Sequence, residues 1–187
     1  PGIHQNVIVL DFKSLYPSII RTFHVDPLAL AVAAREENPI EGYDGGKFSR
    51  HKFILPELIS DLWSARDRAK SSKNSALSQA IKIIMNSFYG ILGTVGCRFL
   101  DSRLVSSITK RGQEILIQSK NFIEDAGYQV IYGDTDSVFI LLDSVSDDQV
   151  KVIGDELTKR LNVWWTNQLR EKYDIASFLE MEFETHF

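Results

Sequence analysis

Tyr128-Gln129-Val130-Ile131-Tyr132-Gly133-Asp134-Thr135-Asp136-Ser137-Val138-Phe139-Ile140-Leu141-Leu142 holds two strand-like runs, 128–132 and 137–142, on either side of Gly133-Asp134-Thr135-Asp136. Aromatic and β-branched residues suit a pleated strand, and a short polar link between two such runs predicts an antiparallel hairpin. Its tip carries two acids. Residues two apart in a strand share a face, so Asp134 and Asp136 are expected to present their carboxylates together. Like charges that close repel, and a hard divalent cation relieves the repulsion. Mg2+ favours a few carboxylates, its shell completed by substrate phosphate oxygens. A calcium loop counted from Asp134 fails: its fifth, sixth and twelfth positions are Val138, Phe139 and Val145, where an oxygen ligand, Gly and Glu belong. Taken alone, Asp-x-Asp is also what solvated turn acids look like.

Upstream, Val7-Ile8-Val9-Leu10 reads as a short, fully buried strand that ends on Asp11. An unpaired charge there is costly, which makes Asp11 a candidate ligand; its other reading is a cap for the helix that follows. Helical spacing runs from Tyr16-Pro17 to about Phe23, and Asp26-Pro27 breaks it. Residues 35–50, with Asn38-Pro39, Gly42 and Gly45-Gly46, read as a loop-rich connector. Pro56 suits the first turn of a helix whose apolar face is Leu58, Ile59, Leu62, Trp63, Ala65 and Ala69. After a polar turn at 71–75, a second helix over about 76–92 is expected to bury Leu77, Ala80, Ile81, Ile84, Met85 and Phe88. Two helices joined this way form an antiparallel hairpin. A third helix, about 101–126, stops at Gly127. Another helix spans about 147–172, and 178–183 alternates like a strand, with Glu180, Glu182 and Glu184 expected on one face. Strands and helices mix without regular alternation, so the predicted class is α+β.

On the second of the paired helices, Lys82, Asn86 and Tyr89 fall at i, i+4 and i+7, a stripe away from the apolar face. A lysine, an amide and a ring so arranged suit a phosphate, a polar contact and a base or sugar. Arg66 and Lys70 repeat the i, i+4 spacing on the first helix. The 187 residues are 44% hydrophobic and 25% charged, ordinary values for one globular domain of generous size. The net charge of −4 argues mildly against nucleic acid. Its distribution argues the other way: Lys47, Arg50, Lys52, Arg66, Arg68, Lys70, Lys73 and Lys82 stand against only Glu57, Asp61 and Asp67 in that stretch. Cys97 is the single cysteine, so no intramolecular disulfide or multi-cysteine metal site can form. No apolar run reaches the ~20 residues a membrane span needs, and a cytoplasmic setting is expected. The start, Pro1-Gly2-Ile3-His4, lacks methionine and the end at Phe187 still reads as ordered structure, which leads us to expect a piece of a longer protein.

Three stretches together resemble a known family. Asp11-Phe12-Lys13-Ser14-Leu15-Tyr16-Pro17-Ser18-Ile19-Ile20 is similar to the first palm motif of family B DNA polymerases. Lys82-Ile83-Ile84-Met85-Asn86-Ser87-Phe88-Tyr89-Gly90 is similar to their fingers motif, and Tyr132-Gly133-Asp134-Thr135-Asp136-Ser137 to their second palm motif. They stand in the family's order, and the surrounding text resembles bacterial members, which would put the protein at the nucleoid. The resemblance implies a palm, an antiparallel sheet with helices on one face, at 1–54 and 96–187, interrupted by a helical-hairpin fingers subdomain at 55–95. It implies template-directed addition of deoxynucleotides to a primer 3′-hydroxyl with two Mg2+ ions, for which Mn2+ substitutes. Asp11 and Asp136 would bridge both metals, Asp134 would assist, and Phe12 would lend its backbone carbonyl. Ser14 and Leu15 would offer backbone N–H groups to the triphosphate, and Tyr16 would stack on the sugar and exclude a 2′-hydroxyl. Arg66, Lys82 and Asn86, with Lys70, would hold the β- and γ-phosphates once the hairpin swings inward, and Tyr89 would line the nascent base pair. Partners implied are primer-template DNA, deoxynucleoside triphosphates, exonuclease and thumb domains of the same polypeptide, and a sliding clamp for the full-length enzyme. Without those domains the fragment is expected to be weak or inactive.

Two rival readings use the same acids. A metal-dependent glycosyltransferase holds a nucleotide diphosphate through Asp-x-Asp, but leaves Asp11-Phe12-Lys13-Ser14-Leu15-Tyr16 and the Lys82 stripe without a task. A silent polymerase-like scaffold is the other, although every expected acid and Lys82 are present.

Overall fold

Strand β1 (Val7–Phe12) is built from β-branched and aliphatic residues and is buried along almost its whole length. The reason is its place: the sheet order is β4-β5-β1-β6, so β1 has a neighbour on each side. Its partners are β5 (Ser137–Leu141) and β6 (Met181–His186), and β4 (Gln129–Asp134) closes the hairpin onto β5; every pairing is antiparallel. The structure is a computed structural model that describes residue 2, residues 4–142 and residues 145–187. Pro1 and Ile3 of the amino-terminal stretch therefore lie outside the described residues. The chain divides into two units, Pro1–Leu15 with Gly112–Phe187, and Tyr16–Arg111.

In the first unit, residues directly paired across strands point to the same face. Gly133, Val138, Leu10 and Phe183 are linked in this way into one row. That face carries the helices. A Cβ on Gly133 would meet Leu116 of α5 (Ser102–Asp125) at 3.5 Å, and a Cβ on Gly154 of α6 (Asp147–Tyr173) would lie 2.3 Å from the Phe183 ring. Trp165 of α6 donates its buried indole N–H to Ser119 Oγ of α5 at 2.9 Å, which satisfies both polar groups in the apolar layer. Asn162 of α6 donates to the Met181 carbonyl at 2.9 Å and accepts from the Met181 N–H at 2.8 Å. Its side-chain amide thus stands in for a further strand at the β6 edge.

The strand expected at 178–183 is shifted along the chain. Pairing needs a neighbour, and β1 ends at Phe12; just beyond it Lys13 N–H still reaches the Glu180 carbonyl at 2.8 Å. At the other end Val7 and Phe187 exchange both backbone bonds at 2.8 Å, so the ladder runs on past Phe183.

The second unit holds α1 (Leu15–Phe23) from Tyr16 onward, α2 (Pro27–Val32), a 3-10 turn at Ala33–Arg35, α3 (Leu55–Ser71), α4 (Ser75–Leu92) and the Ser102–Arg111 part of α5. Asp26 does more than interrupt a helix. One carboxylate oxygen caps α2 by accepting from Ala29 N–H at 2.8 Å, and the other accepts from Leu55 N–H at 2.9 Å, so a single buried acid starts both α2 and α3. The connector predicted to be loop also contains a small ribbon, β2 (Ile40–Glu41) against β3 (Lys47–Phe48). The predicted antiparallel helix pair is present, with Asn74 capping α4 through Leu77 N–H at 3.0 Å. Its apolar faces are narrower than predicted. The buried stripes are Leu55, Ile59, Trp63, Arg66 and Ala69 on α3, and Ser78, Ile81, Met85 and Leu92 on α4. Leu58, Leu77, Ala80 and Ile84, expected inside, are exposed. Hydrophobic spacing names a side of the helix; how wide a strip is covered depends on what packs there.

His24 follows α1 with a left-handed backbone (φ 51°), its ring 4.1 Å from that of Phe53 and its Nδ1 3.2 Å from the Ser49 carbonyl oxygen. Burial holds its imidazole below the ordinary value of 6.5, although the Ser49 contact opposes the shift. For a base with a depressed folded pKa, the unfolded chain binds more protons between the two values. Stability is therefore full above the unfolded value and falls as pH drops through it. Urea unfolding at about pH 7.5 and about pH 5.5 should show a larger acid loss in the wild type than in His24→Asn, which keeps the left-handed turn without the titrating ring. Equal losses in the two proteins would rule out His24 as the source.

Candidate active site

One residue along from the helix-bearing row, the registers define a second row on the opposite face. Asp134 is opposite Ser137, Ser137 opposite Asp11, and Asp11 opposite Glu182. Three acids and a serine thus cross all four strands on the face away from α5 and α6. Ser137 Oγ donates to Asp11 Oδ1 at 2.8 Å across 126 residues of sequence, which fixes the orientation of the central carboxylate. Strands lie ~4.8 Å apart, so the row is a spread of acids and not a knot. Accordingly, among the described residues no three His, Cys, Asp or Glu side chains are grouped closely enough to hold a metal unaided.

Asp136 lies in the two-residue turn that closes the β4–β5 hairpin. Thr135 is left-handed (φ 43°), as such turns require, and Asp136 N–H donates to the Asp134 carbonyl at 2.5 Å. Phe12 N–H then donates to the Asp136 carbonyl at 2.9 Å, which draws the hairpin tip onto the end of β1 beside Asp11. The expectation that Asp134 and Asp136 share a face as alternate residues of one strand does not carry over, because strand periodicity ends where the turn begins. Asp11 and Asp136 are juxtaposed by the tertiary fold instead.

The three glutamates also separate. Leu10 is opposite Phe183 and Val9 opposite Thr185, leaving Glu184 as the extra residue of a β-bulge. Glu180 and Glu182 both meet Lys13, whose Nζ is 3.1 Å from Glu180 Oε2 and 3.6 Å from Glu182 Oε1. Ser14 follows with φ 52°, and its buried hydroxyl has no hydrogen-bond partner. It stands at the start of α1, where unpaired backbone N–H groups and the positive end of the helix dipole favour an anion.

In the second unit, Tyr16 of α1 lies against Tyr89 of α4, ring centroids 4.6 Å apart and tilted by 53°. Lys82 and Asn86 are exposed and Tyr89 half-buried, as the predicted stripe requires. Arg66 departs from expectation. Lys70 is exposed, but Arg66 is only 8% exposed, because it continues the buried stripe of Ile59 and Trp63. Its Nε and Nη1 are buried without a partner. A guanidinium desolvated to that degree is short of an anion, and a planar fork fits a phosphate or carboxylate best.

One residue of the acid row, Ser137, and one beside it, Lys13, had no predicted role. Ser137 could have been found by reading the hairpin register, since the residue after a two-residue turn pairs with the one before it. Lys13 carries no signal in sequence; only the arrival of β6 reveals it. The donors around Asp11 and Asp136 are hard oxygens, which fits Mg2+ with phosphate oxygens completing the shell.

Comparison with known proteins adds an independent finding. A family model described as DNA polymerase family B matches residues 2–174. DNA polymerase II of Escherichia coli (strain K12) is 51% identical over 100% of this chain, and a DNA polymerase of Thermococcus gorgonarius is 30% identical over 98%. The solved family B DNA polymerase from Pyrobaculum calidifontis superposes with a TM-score of 0.68 at 25% identity over the whole chain. The chain spans 24% of the length of each of these three proteins.

Proposed function

The chain belongs to DNA polymerase family B, and from that premise we propose that it is the nucleotide-adding core of such an enzyme, joining deoxynucleotides to a primer 3′-hydroxyl as directed by a template. The observation that carries this reading is the juxtaposition of Asp136 with Asp11 by the Phe12 N–H to Asp136 carbonyl bond, next to an acid row left open on one face of the sheet. Asp11 and Asp136, with the Phe12 carbonyl, would hold two Mg2+ ions, or Mn2+ in their place, and Asp134 would assist from the end of the row. When bound, such a pair activates the 3′-hydroxyl and neutralises charge on the departing pyrophosphate.

What remains for the protein is positioning and charge, the main needs of phosphoryl transfer. Ser14 and Leu15 would meet the triphosphate at the start of α1, a reading supported by the unpartnered Ser14 hydroxyl. Arg66, Lys82 and Asn86, with Lys70, would take the β- and γ-phosphates, and the unmet N–H groups of Arg66 support its share. Tyr16 would pack on the sugar and refuse a 2′-hydroxyl, held in place by the ring of Tyr89, which would line the new base pair. In this reading residues 1–54 and 96–187 act as palm, and residues 55–95 with the α3–α4 pair as fingers. Primer-template DNA and deoxynucleoside triphosphates are the substrates, at the nucleoid of a bacterial cell. Its relatives being about four times as long, DNA grip, proofreading and any clamp contact are assigned to further domains of the polypeptide, and the chain alone should extend primers weakly.

Calorimetric titration with Mg2+ and a deoxynucleoside triphosphate tests the proposal. We expect metal-dependent binding that a ribonucleotide matches poorly. Preference for a sugar nucleotide would replace this reading with the glycosyltransferase one, and no binding of either would favour a silent scaffold.

A further inference from the structure

We propose that Lys13 is a positioning residue that keeps Glu182 from becoming a third carboxylate ligand beside Asp11, so that the site takes its metal with two aspartates and leaves the remaining positions to water and substrate. The inference rests on the metal-binding role proposed for Asp11 and Asp136. Glu182 is the direct cross-strand partner of Asp11 and shares its face of the sheet. Paired residues of an antiparallel ladder have Cα atoms about 4.5–5.5 Å apart, and a glutamate side chain easily covers that distance. Nothing in the backbone therefore prevents Glu182 from closing on a cation held by Asp11.

Lys13 supplies the restraint. Its backbone N–H bonds the Glu180 carbonyl at 2.8 Å, extending the β1–β6 register one step beyond the ladder. Its ammonium then returns to the same strand, 3.1 Å from Glu180 and 3.6 Å from Glu182. The lysine side chain is 17% exposed while the two glutamates are 49% and 53% exposed. The cation is the anchored partner and the acids come to it. Exposed ion pairs add little stability. The consequence here is where the Glu182 carboxylate rests: on Lys13, and off the neighbouring metal position. This matters because affinity and metal preference at oxygen sites are tuned by the number of carboxylates, and Mg2+ keeps several waters where a site with more acids binds a cation tightly.

The experiment is a titration of the chain with Mn2+ alone, followed by electron paramagnetic resonance for affinity and by water-proton electron-nuclear double resonance for the number of water ligands on the bound ion. Lys13→Met, of similar length and uncharged, should bind Mn2+ about tenfold more tightly and with one water fewer. Lys13→Arg should behave as wild type. Adding Glu182→Gln to Lys13→Met should restore the wild-type water count, whereas adding Glu180→Gln should not. Tighter binding with an unchanged water count would be a bulk charge effect and would overturn the proposal, as would a Lys13→Met protein that matches wild type in both readouts. If Asp136→Asn leaves Mn2+ binding untouched, the active-site reading itself fails and takes this inference with it. If Asp136→Asn removes binding while Lys13→Met changes nothing, only the role of Lys13 fails.

Discussion

Asp11→Asn and Asp136→Asn are each expected to weaken Mn2+ or Mg2+ binding by at least about a hundredfold. Loss of an outer partner that merely orients a ligand already costs about 10–100-fold, so loss of the ligand itself should cost more. The amide side chain keeps the size and one oxygen but not the charge, and with few protein ligands available each carboxylate carries a large share of the binding. Two further substitutions grade the row. Ser137→Ala removes the hydroxyl that orients Asp11 at 2.8 Å and should fall within that 10–100-fold range. Asp134→Asn, at the exposed end of β4 and two strands from Asp11, should cost less than either central acid. Isothermal titration with each protein, checked for fold by circular dichroism, gives the order. A result in which Asp134→Asn is the most damaging, or in which Asp11→Asn binds as wild type, would defeat the assignment of the metal ligands.

The second large effect concerns the fold that holds this row in place. Gly154→Ala is expected to destabilise the first unit by about 1–3 kcal/mol, the usual cost of forcing extra volume into a packed site. Helix propensity alone predicts the opposite, a gain of about 1 kcal/mol for replacing a mid-helix glycine with alanine. Packing decides the sign. The added Cβ would lie 2.3 Å and 2.7 Å from Cδ2 and Cε2 of Phe183, a ring carried on β6 and not the free end of a flexible chain. Urea unfolding should therefore show a loss for Gly154→Ala in the wild-type background. In a Phe183→Ala background the same substitution should turn neutral or stabilising, because the obstacle is gone and only propensity remains. A Gly154→Ala protein more stable than wild type would show that α6 can move away from the sheet at little cost.

These two cases mark how far the residues alone could be read. The β1 and β4–β5 strands, the α3–α4 hairpin, the stop at Gly127 and the Lys82, Asn86, Tyr89 stripe all follow from short-range patterns. Alternation, helical spacing, caps and turn residues act over a few positions, and their physics is the same in any protein. The three motif stretches likewise point to a family, and the match of the family model to residues 2–174 agrees with that resemblance.

Other features depend on which surfaces meet, and no local pattern encodes that. Glu180, Glu182 and Glu184 alternate in sequence, yet a bulge against β1 separates the third from the other two. Arg66 looks like a solvated cation beside Lys70, yet it completes a buried stripe and is left without partners for two of its nitrogens. Lys13 gives no signal until β6 brings two acids to it. The sequence by itself determined most of the elements and singled out the candidate carboxylates, because those rest on side-chain type and spacing along one strand or helix. Only the tertiary structure decided that the hairpin tip carrying Asp136 is bonded to the end of β1 next to Asp11, that Ser137 and Lys13 meet acids of neighbouring strands, and that Gly154 packs against the Phe183 ring. Each of these depends on register and packing between segments far apart in the chain, where a shift of one residue turns a side chain to the opposite face.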